Sequence, residues 1–443
     1  MARENSAGTS LDPATRYALI VLDGLADRPH PDFAGRTPLE AAETPHLDAL
    51  AGAGQLGDVI VIGPGIAPES DAGVFALLGY DPVVDSPGRG VLEALGLEVP
   101  LEPGDVALRM NFATFDGEHR VLDPRVGRSL TTSEASALAE GLTAARLLDD
   151  DGIDVTVRAS VGHRGVVVLH PRRGALSAEI SNADPFYERV GGMGHARSSP
   201  DRRLRPVMPL DHSPEAARTA AAVNRWIDRA LGVLAGAPVN GRRALAGRPI
   251  ANGLLLRNAG QIGRARPTAF AERHGRTGAA ITEMPVERGI ARWLGLSDQY
   301  VGPMGPDRDA GYRARAQKTI DALATAPFVY VHLKGPDEPG HDGNPARKRE
   351  IIESIDRSFF GPLREGLAFD RIRIAVTADH ATPCVVKGHS DDPVPLLVTG
   401  AGVTPAERPA RPVKFGEAAA RAGALGRRTG AQVVATLWQA AVP

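Results

Sequence analysis

The chain has very little cysteine. A single residue, Cys384, stands among 443 residues, which excludes an internal disulfide and a metal site built from several thiolates. No stretch of about 18 apolar residues occurs, and the opening segment MARENSAGTSLDPATR lacks the apolar centre of a signal peptide. We therefore expect a cytoplasmic protein that is not inserted in a membrane.

The chain also lacks an excess of charge of either sign. Its formal net charge is -2 and its pI is near 6.7, whereas nucleic acids and anionic membranes select a concentrated basic surface. Neither is expected as a partner. Hydrophobic residues make up 43% and charged residues 23%, which is typical of a soluble globular protein. The sequence carries no signal for an oligomeric state.

Short apolar runs that end in polar residues indicate buried strands. Three such runs are YALIVLD (Tyr17–Asp23), FVYVHLKG (Phe328–Gly335) and RIAVTADH (Arg373–His380). Helical stretches lie between them, so the alternation predicts an α/β protein with a largely parallel sheet. In such sheets, ligands bind beyond the carboxyl ends of the strands.

The middle of the chain has a different sequence pattern. VALRMNFATFDGEHRVLDPRVG predicts two strands joined by a turn at Asp116 and Gly117, and PEAARTAAAVNRWIDRALGVL predicts an amphipathic helix. We therefore predict a core formed by residues 16–83 and 263–443 that is interrupted by an inserted α+β domain over residues 84–262. Residues 1–15 are expected to be disordered.

An acidic residue and a histidine follow the run FVYVHLKG, four positions apart. In DEPGHDGN, Asp337 and His341 could approach one cation from a loop or a first helical turn. Carboxylate and imidazole together suit Zn²⁺ or Mn²⁺. Alone, the pair is equally compatible with a loop cap and a solvated imidazole, so the motif needs support from other clusters.

A second cluster ends the run RIAVTADH. Asp379 and His380 are adjacent there, and His389 follows in KGHS. Adjacent residues of an extended strand point to opposite faces, so Asp379 and His380 can share one ion only where the chain turns. The alternative is a helix N-cap carboxylate with two surface histidines.

Two further residues stand at similar places. Asp23 ends the first apolar run, and Ser70 follows a proline-rich turn and precedes a short apolar helix, where backbone amides favour a phosphate. Each alone could simply cap a segment. Together the clusters supply three aspartates, three histidines and one serine. Such a set could hold two divalent cations, which can activate a serine hydroxyl and clamp a phosphoryl group.

Longer segments extend this pattern over most of the chain. From Tyr17 onward it resembles the archaeal-type cofactor-independent phosphoglycerate mutases of the alkaline phosphatase superfamily, in the segments LDGLADRP, GRTPLEAAETPHLDALA, LLGYDP, GRGVLEALG, NFATFDG, VGHRGVVVL, HLKGPDEPGHDGNP, DHATPC and GHSDDPVPLLVTG. The resemblance implies an alkaline-phosphatase-like core whose sheet is sandwiched by helices, and an inserted domain that closes over the substrate. It also implies phosphoryl transfer between the 3- and 2-hydroxyls of glycerate through a phosphoserine, without 2,3-bisphosphoglycerate.

The resemblance also implies roles for individual residues. One metal would be held by Asp337, His341 and His389, and the other by Asp23, Ser70, Asp379 and His380. The metals would be Mn²⁺ or Zn²⁺, with Mg²⁺ a further possibility. Ser70 would be the nucleophile, and Lys334 would neutralise the phosphate, although a solvated lysine at a strand end is the plain alternative. The small phosphorylated acid would be bound by residues from the family's substrate-binding segments: Arg89, Asp123, Arg125, Arg128, His163, Arg164 and Arg257.

The chain departs from the family pattern around the nucleophile. Family members usually have Gly-Ser-Asp-Thr-Ala-His where this chain has ESDAGV (Glu69–Val74), Pro124 replaces one of two paired arginines, and Ala381 stands where serine is common. Three hypotheses therefore stay open. The chain is a mutase serving glycolysis, a hydrolase or divergent enzyme for another phosphorylated or phosphonate acid, or an inactive binding scaffold.

Overall fold

The structure, a computed structural model, describes residues 15–190, 193–197, 201–263, 266–405 and 413–439. The predicted disordered start lies outside the described residues, except for residue 15. Within these ranges, none of the helices combines the length and the apolar content that a membrane crossing requires.

The secondary structure alternates in type along the chain. The strands of the described ranges are β1 (Arg16–Leu22), β2 (Gly54–Ile60), β3 (Val106–Phe115), β4 (Val121–Asp123), β5 (Ile153–Ala159), β6 (Arg164–Pro171), β7 (Tyr187–Val190), β8 (Met193–Ala196), β9 (Gly253–Gln261), β10 (Gly278–Ile281), β11 (Ser297–Asp298), β12 (Phe328–Leu333), β13 (Ile372–Thr377), β14 (Val394–Gly400) and β15 (Gly426–Thr429).

The α-helices of the same ranges are α1 (Pro38–Ala41), α2 (Pro45–Gly52), α3 (Ser70–Leu77), α4 (Arg89–Gly96), α5 (Thr132–Ala144), α6 (Pro214–Ala235), α7 (Pro238–Leu245), α8 (Phe270–His274), α9 (Pro285–Trp293), α10 (Arg308–Thr325), α11 (Asp337–Asp342), α12 (Pro345–Ile355), α13 (Gly361–Gly366), α14 (Glu417–Arg421) and α15 (Gly430–Trp438). Short 3-10 turns cover Pro31–Phe33 and Val126–Arg128, and a π-helical turn over Asp356–Phe360 joins α12 to α13.

The first of two compact units contains Met1–Val84, Thr268–Glu287 and Leu294–Pro443. Its eight-stranded sheet has the order β11-β10-β12-β1-β13-β14-β2-β15 over the described residues. Strands β10, β12, β1 and β13 are parallel neighbours, while β14 runs antiparallel to both β13 and β2. The prediction of an α/β fold with a largely parallel sheet is confirmed.

The burial pattern of the central strand β1 indicates that both faces of the sheet are covered. In RYALIVL every residue after Arg16 is buried, which is the pattern of a parallel strand covered by helices on each side. Leu22 pairs with Leu333 of β12, and Val21 pairs with Thr377 of β13. The carboxyl ends of three neighbouring strands therefore meet at one edge of the sheet.

The second unit contains Asp85–Pro267 and Arg288–Trp293. Its sheet has the order β4-β3-β6-β5, with β9 paired to β3, and all of these pairings are antiparallel. The predicted turn at Asp116 and Gly117 joins β3 to β4 as expected. Helix α6 buries Trp226 and Ile227 against this sheet's core, which is the apolar face that the sequence pattern indicated.

Helix α2 begins without a capping hydrogen bond from its N-cap side chain. Thr44 occupies the N-cap position of α2, but its side chain makes no capping bond to the helix backbone. Its hydroxyl donates instead to the Asp48 carboxylate, at 3.1 Å. The helix nevertheless begins at Pro45, because proline is well suited to the first helical position.

Candidate metal centre and arginine cluster

The predicted metal-ligating residues of the first unit lie together beyond the carboxyl ends of β1, β12 and β13. Strand β13 ends at Thr377, so Asp379 and His380 lie past the strand, where the chain can turn both side chains to one place. Both residues are fully buried, which contradicts the alternative of a surface histidine at His380. Asp23, Asp379 and His380 offer ligand atoms within 4.8 Å of one another.

A second set of ligand atoms surrounds Asp337. Helix α11 begins at Asp337, so His341 follows one turn later, and its Nε2 lies 3.4 Å from Asp337 Oδ1. His389 Nε2 lies 3.5 Å from the same oxygen and 3.2 Å from His341 Nε2. The donor atoms of a tetrahedral Zn²⁺ site lie about 3.4 Å apart, given bonds of about 2.1 Å, so this set fits a metal ion.

Backbone carbonyls determine which nitrogen these two histidines present. His389 Nδ1 donates to the carbonyl of Pro68 at 2.7 Å, and His341 Nδ1 faces the carbonyl of Lys387 at 3.3 Å. In both rings Nε2 is then left as the ligand atom. Such a hydrogen bond behind the ligand nitrogen is usual at metal sites, because it fixes the tautomer and the ring orientation.

Thr382 connects the two sets of ligands. Its hydroxyl donates to Asp337 Oδ1 at 2.7 Å and lies 3.0 Å from His380 Nδ1. Because the hydroxyl hydrogen is used for Asp337, Nδ1 of His380 is the donor to Thr382. His380 thus presents Nε2 to the site, as His341 and His389 do.

Ser70 is the first residue of helix α3, with Glu69 at the N-cap position, so the alternative that Ser70 itself caps the helix does not hold. Its Oγ lies 3.2 Å from His380 Nε2. The same nitrogen lies 3.5 Å from Asp23 Oδ1 and 3.4 Å from Asp379 Oδ2. The Ser70 oxygen therefore lies next to His380 Nε2, which is itself close to the carboxylates of Asp23 and Asp379.

Buried charge dominates this part of the protein. Burial by itself would lower the pKa of His380, but Asp379, Asp23 and Asp337 raise it to about 9. Burial raises the pKa of Asp379. Burial also acts to raise the pKa of Asp23, but Lys334, with His332 and His380, holds it well below its usual range. Neighbouring cations thus stabilise the Asp23 carboxylate, whereas burial destabilises the carboxylate of Asp379.

The chemistry of the set fits divalent cations. Over the described residues, Asp23 Oδ1 and Asp379 Oδ2 are buried atoms without a hydrogen-bond partner, although each faces a histidine nitrogen. Buried carboxylate oxygens are normally paired or bound to metal, because their desolvation is otherwise expensive. Mixed oxygen and imidazole ligation suits Mn²⁺ or Zn²⁺ better than Mg²⁺.

Lys334 lies at the same edge but is engaged by carboxylates. Its Nζ lies 3.1 Å from Asp23 Oδ2 and 2.8 Å from Glu287 Oε1. Burial by itself would lower the pKa of Lys334, but Asp23, Glu287 and Asp379 together raise it. The plain alternative of a solvated lysine is therefore wrong, because the ammonium group is held between two acidic side chains.

The departures from the family pattern near Ser70 point into the protein interior. Ala72 and Val74 are buried, and a Cβ on Gly73 would lie 2.3 Å from the carbonyl oxygen of Asp379. These three residues thus pack behind Ser70. Their apolar character is explained by the core and does not by itself indicate a changed substrate.

The second unit contains a cluster of cations that we call the arginine cluster. It consists of Arg89, Arg109, Arg164 and Arg257 around Glu93. Arg89 Nε and Arg109 Nε each lie 3.6 Å from Glu93 Oε1. Arg109 of β3 pairs in register with Arg257 of β9, and like charges directly opposite each other are unfavourable. Such an arrangement favours a bound anion.

The remaining contacts of the cluster leave it strongly positive. Arg257 forms an ion pair with Asp184, and its guanidinium carbon lies 4.2 Å from the ring centre of Tyr187. Burial, assisted by Arg89, Arg257 and Arg164, lowers the pKa of Arg109 to about 9. Arg109 is still charged at neutral pH.

His163 and Arg125 stand beside the arginine cluster. Burial lowers the pKa of His163 to about 3, with Arg164, Arg125, Arg109 and Arg257 acting in the same direction. His163 is therefore neutral at physiological pH and could offer only an uncharged hydrogen bond. Arg125 is exposed.

Asp123 and Arg128 are placed differently. Asp123 accepts hydrogen bonds from the backbone amides of Arg125 at 2.7 Å and Gly127 at 2.9 Å, so it orders the turn that carries Arg125. Arg128 ends that turn and is exposed. Neither side chain is part of the arginine cluster as defined above.

Four residues of these sites were missed in the sequence analysis. His332 Nε2 lies 3.6 Å from Asp23 Oδ1 and 3.7 Å from Asp379 Oδ2. The other three are Thr382, Glu287 and Arg109. His332 could have been found, since it lies two residues before Lys334 and so on the same face of the strand. Glu287 and Arg109 carry no local signal, because only long-range contacts bring them to their sites.

The chain is similar in sequence to known proteins that share one name. A family model described as 2,3-bisphosphoglycerate-independent phosphoglycerate mutase matches residues 51–240. A protein of that name from Aeropyrum pernix is 45% identical over 86% of this chain and 89% of its own length. Another from Methanopyrus kandleri is 39% identical over 95% of each chain.

Two solved structures of similar proteins cover nearly the whole chain. A cofactor-independent phosphoglycerate mutase from Thermoplasma acidophilum has 32% identity and a TM-score of 0.61, covering 96% of this chain and 98% of that one. A protein from Pyrococcus horikoshii has 29% identity and a TM-score of 0.77, covering 97% and 98%. The extent of these matches confirms the resemblance seen in the sequence motifs, and the chain belongs to the 2,3-bisphosphoglycerate-independent phosphoglycerate mutase family.

Proposed function

We propose that this protein is a metal-dependent isomerase that interconverts 3-phosphoglycerate and 2-phosphoglycerate through a phosphoserine at Ser70. The observation that carries the proposal is the position of Ser70 Oγ, 3.2 Å from His380 Nε2 and thus among the atoms offered by Asp23 and Asp379. A hydroxyl in that place is suited to attack a phosphoryl group and later to release it.

Two divalent cations, Mn²⁺ or Zn²⁺ and less suitably Mg²⁺, complete the proposed site. Asp337, His341 and His389 would hold one, and Asp23, Ser70, Asp379 and His380 would hold the other. Bound cations would supply the positive charge that favours the serine alkoxide and the transferring phosphoryl group. Neutral imidazoles are required for this, and the hydrogen bonds at Nδ1 of all three histidines support the Nε2 ligand form.

The arginine cluster is the proposed anion-binding part of the enzyme, in the predicted inserted domain of residues 84–262. Five guanidinium groups, those of Arg125 and the four cluster arginines, stand against the carboxylates of Glu93 and Asp184, which leaves a charge of +3. A molecule with one carboxylate and one phosphate carries about -2.5 to -3 at neutral pH. Arginine forks suit both groups because they donate two parallel hydrogen bonds. His163 would add a neutral contact, Asp123 would order the turn of Arg125, and Arg128 would add an outer contact.

We further propose that the reaction is the glycolytic one and takes place in the cytoplasm, with no bisphosphoglycerate cofactor. The extensive similarity to relatives named for this reaction supports the proposal. The interior position of Ala72, Gly73 and Val74 is compatible with it, because packing in the core accounts for the apolar character of these departures.

The decisive experiment follows both possible products of one substrate. Metal-reconstituted protein is incubated with 3-phosphoglycerate, and ³¹P NMR monitors 2-phosphoglycerate and inorganic phosphate together. We expect 2-phosphoglycerate without stoichiometric phosphate release. Phosphate as the main product would establish a hydrolase instead, and no turnover by protein that binds fewer than one Mn²⁺ would support an inactive scaffold.

A further inference from the structure

Lys334 lies between two buried carboxylates. Its Nζ is 3.1 Å from Asp23 Oδ2 and 2.8 Å from Glu287 Oε1. Glu287 is fully buried in the first turn of α9, and its side chain is 1% exposed. Glu287 belongs to no sequence motif described above, and the proposed metal-ligand sets do not include it.

The two oxygens of Asp23 face different groups. Oδ2 lies against the Lys334 ammonium, whereas Oδ1 lies 3.5 Å from His380 Nε2 and 3.6 Å from His332 Nε2. The lysine therefore occupies one oxygen and leaves the other directed into the ligand set. A partial rotation of the carboxylate about its Cβ–Cγ bond would move Oδ1 out of the ligand set.

Lys334 alone would hold Asp23 weakly. A lysine side chain has four rotatable bonds and a point charge, so its ammonium group keeps a single position only if a further group anchors it. Glu287 supplies that anchor at the shorter of the two distances. Removing Glu287 would leave the ammonium group free to rotate away from Asp23 toward other acceptors.

We propose that Glu287 is a positioning residue, which fixes Lys334 and through it orients Asp23 with Oδ1 toward the metal. The chain of contacts runs from Glu287 to the Lys334 ammonium and on to the Asp23 carboxylate. The proposal rests on the metal centre described under the proposed function. Glu287 does not itself contact the ligand atoms in this arrangement, so its effect on the metal is exerted through Lys334.

His332 is a second support for Asp23 and lies against the other carboxylate oxygen. Its Nδ1 lies 2.7 Å from the hydroxyl of Tyr330, and its Nε2 is directed at Asp23 and Asp379. Tyr330, His332 and Lys334 alternate along β12 and its end, so all three side chains share one face. Asp23 is therefore supported from this one face by His332 and Lys334, and Glu287 fixes the more flexible of the two supports.

The test compares two glutamates four residues apart, the buried Glu287 and the partly buried Glu283. Glu287→Gln removes the charge that anchors Lys334, while Glu283→Gln removes a similar charge that pairs with Arg315 at 3.3 Å and accepts from the amide of Met304. Both variants lose one buried ion pair, but only the first is linked to Asp23. Full-length, metal-free proteins are checked by circular dichroism and titrated with Mn²⁺ by calorimetry, without substrate.

We expect Glu287→Gln to weaken binding of one of the two Mn²⁺ ions by about tenfold or more, as loss of a supporting group around a metal ligand usually does. Its kcat should fall while its KM changes less than twofold. Glu287→Asp should give intermediate Mn²⁺ affinity, and it serves as the second variant if the Gln variant does not fold. Glu283→Gln should bind both ions as the unmodified protein does.

Three results would overturn the positioning role. They are unchanged Mn²⁺ affinity in folded Glu287→Gln, an equal loss in Glu283→Gln, and a raised KM at constant kcat, which would place the Lys334–Glu287 pair on the substrate. Because the Mn²⁺ titration needs no turnover, a protein that binds two ions without mutase activity would refute the proposed function and still test this inference.

Discussion

Gly73 packs directly against the backbone of Asp379, since a Cβ on Gly73 would lie 2.3 Å from the Asp379 carbonyl oxygen. Helix α3 and the segment after β13 thus approach each other as closely as a glycine permits. This contact places Ser70, at the start of the helix, beside His380. The absence of one methyl group at Gly73 therefore helps to determine where Ser70, the proposed nucleophile, lies.

Gly73→Ala should displace α3 and separate Ser70 from His380. We expect kcat to fall by about tenfold to a hundredfold, since small displacements of reacting groups have effects of this size, and stability to fall by about 1–3 kcal/mol. Mutase assays and thermal unfolding measure both. Gly141 in α5 is the matched control, because it has open space around its Cα, so Gly141→Ala should keep activity and add up to about 1 kcal/mol.

Ser70→Ala should abolish turnover while the protein stays folded and still binds at least one Mn²⁺, because a single proposed ligand is lost. Mass spectrometry after brief exposure to 3-phosphoglycerate should detect a phosphorylated serine in the unmodified protein and none in the variant. The exposed Ser133→Ala is the control and should be fully active. Near-native turnover of Ser70→Ala would remove Ser70 as the nucleophile.

Arg109→Met keeps the aliphatic stem of Arg109 but removes its charge. We expect KM for 3-phosphoglycerate to rise by about tenfold or more, since a charge-assisted hydrogen bond contributes about 1.5–3 kcal/mol. The melting temperature without substrate should not fall, because Arg109 stands opposite the like charge of Arg257. Arg158→Met, at an exposed position of β5, is the control. An unchanged KM would exclude Arg109 from the substrate site.

Chelation of divalent ions should inactivate the enzyme and lower its melting temperature. Without cations, the buried oxygens Asp23 Oδ1 and Asp379 Oδ2 face only histidine nitrogens, so ion binding should stabilise the folded state. At a Mn²⁺ concentration of about one hundred times Kd, linkage predicts about 2.7 kcal/mol for each site. Differential scanning calorimetry with and without Mn²⁺ measures the shift. Full activity after exhaustive chelation would contradict the metal-dependent mechanism.

Glu417 should make stability depend on pH. Burial raises its pKa to about 7, although the Thr37 hydroxyl donates to it at 2.6 Å and the Asp27 amide at 3.1 Å. The folded state then binds more protons than the unfolded state between about pH 4.5 and 7, so stability falls as pH rises through this window. The free energy of unfolding is measured in urea at pH 5.5 and at pH 8. In Glu417→Gln, the part of the decrease between these two pH values that is due to Glu417 should disappear. The control Glu140→Gln, at an exposed position, should show the same decrease in stability as the unmodified protein. An unchanged pH dependence in Glu417→Gln would show that Glu417 does not cause it.

The local pattern of the chain was sufficient for the fold class, and it named most of the residues that the structure brings together in the candidate metal centre. Buried strands read as continuous apolar runs, and each run ended at a residue with ligand chemistry, as at Asp23 and Asp379. The direction of β14 could not be read in the same way, because a strand's side-chain alternation is identical in parallel and antiparallel pairing. The π-helical turn over Asp356–Phe360 is similarly invisible in a helical pattern.

The sequence by itself determined which residues could bind metal and accept a phosphoryl group, since this depends on side-chain chemistry and on where strands end. The tertiary structure decided which atoms meet. Ser70 and His380 are separated by 310 positions, and Arg109 reaches Arg257 only through the register of β3 and β9. It also gave Lys334 two acidic neighbours, Asp23 and Glu287. Such contacts depend on packing between segments that are distant in sequence, and a local sequence pattern does not indicate which distant segments pack together.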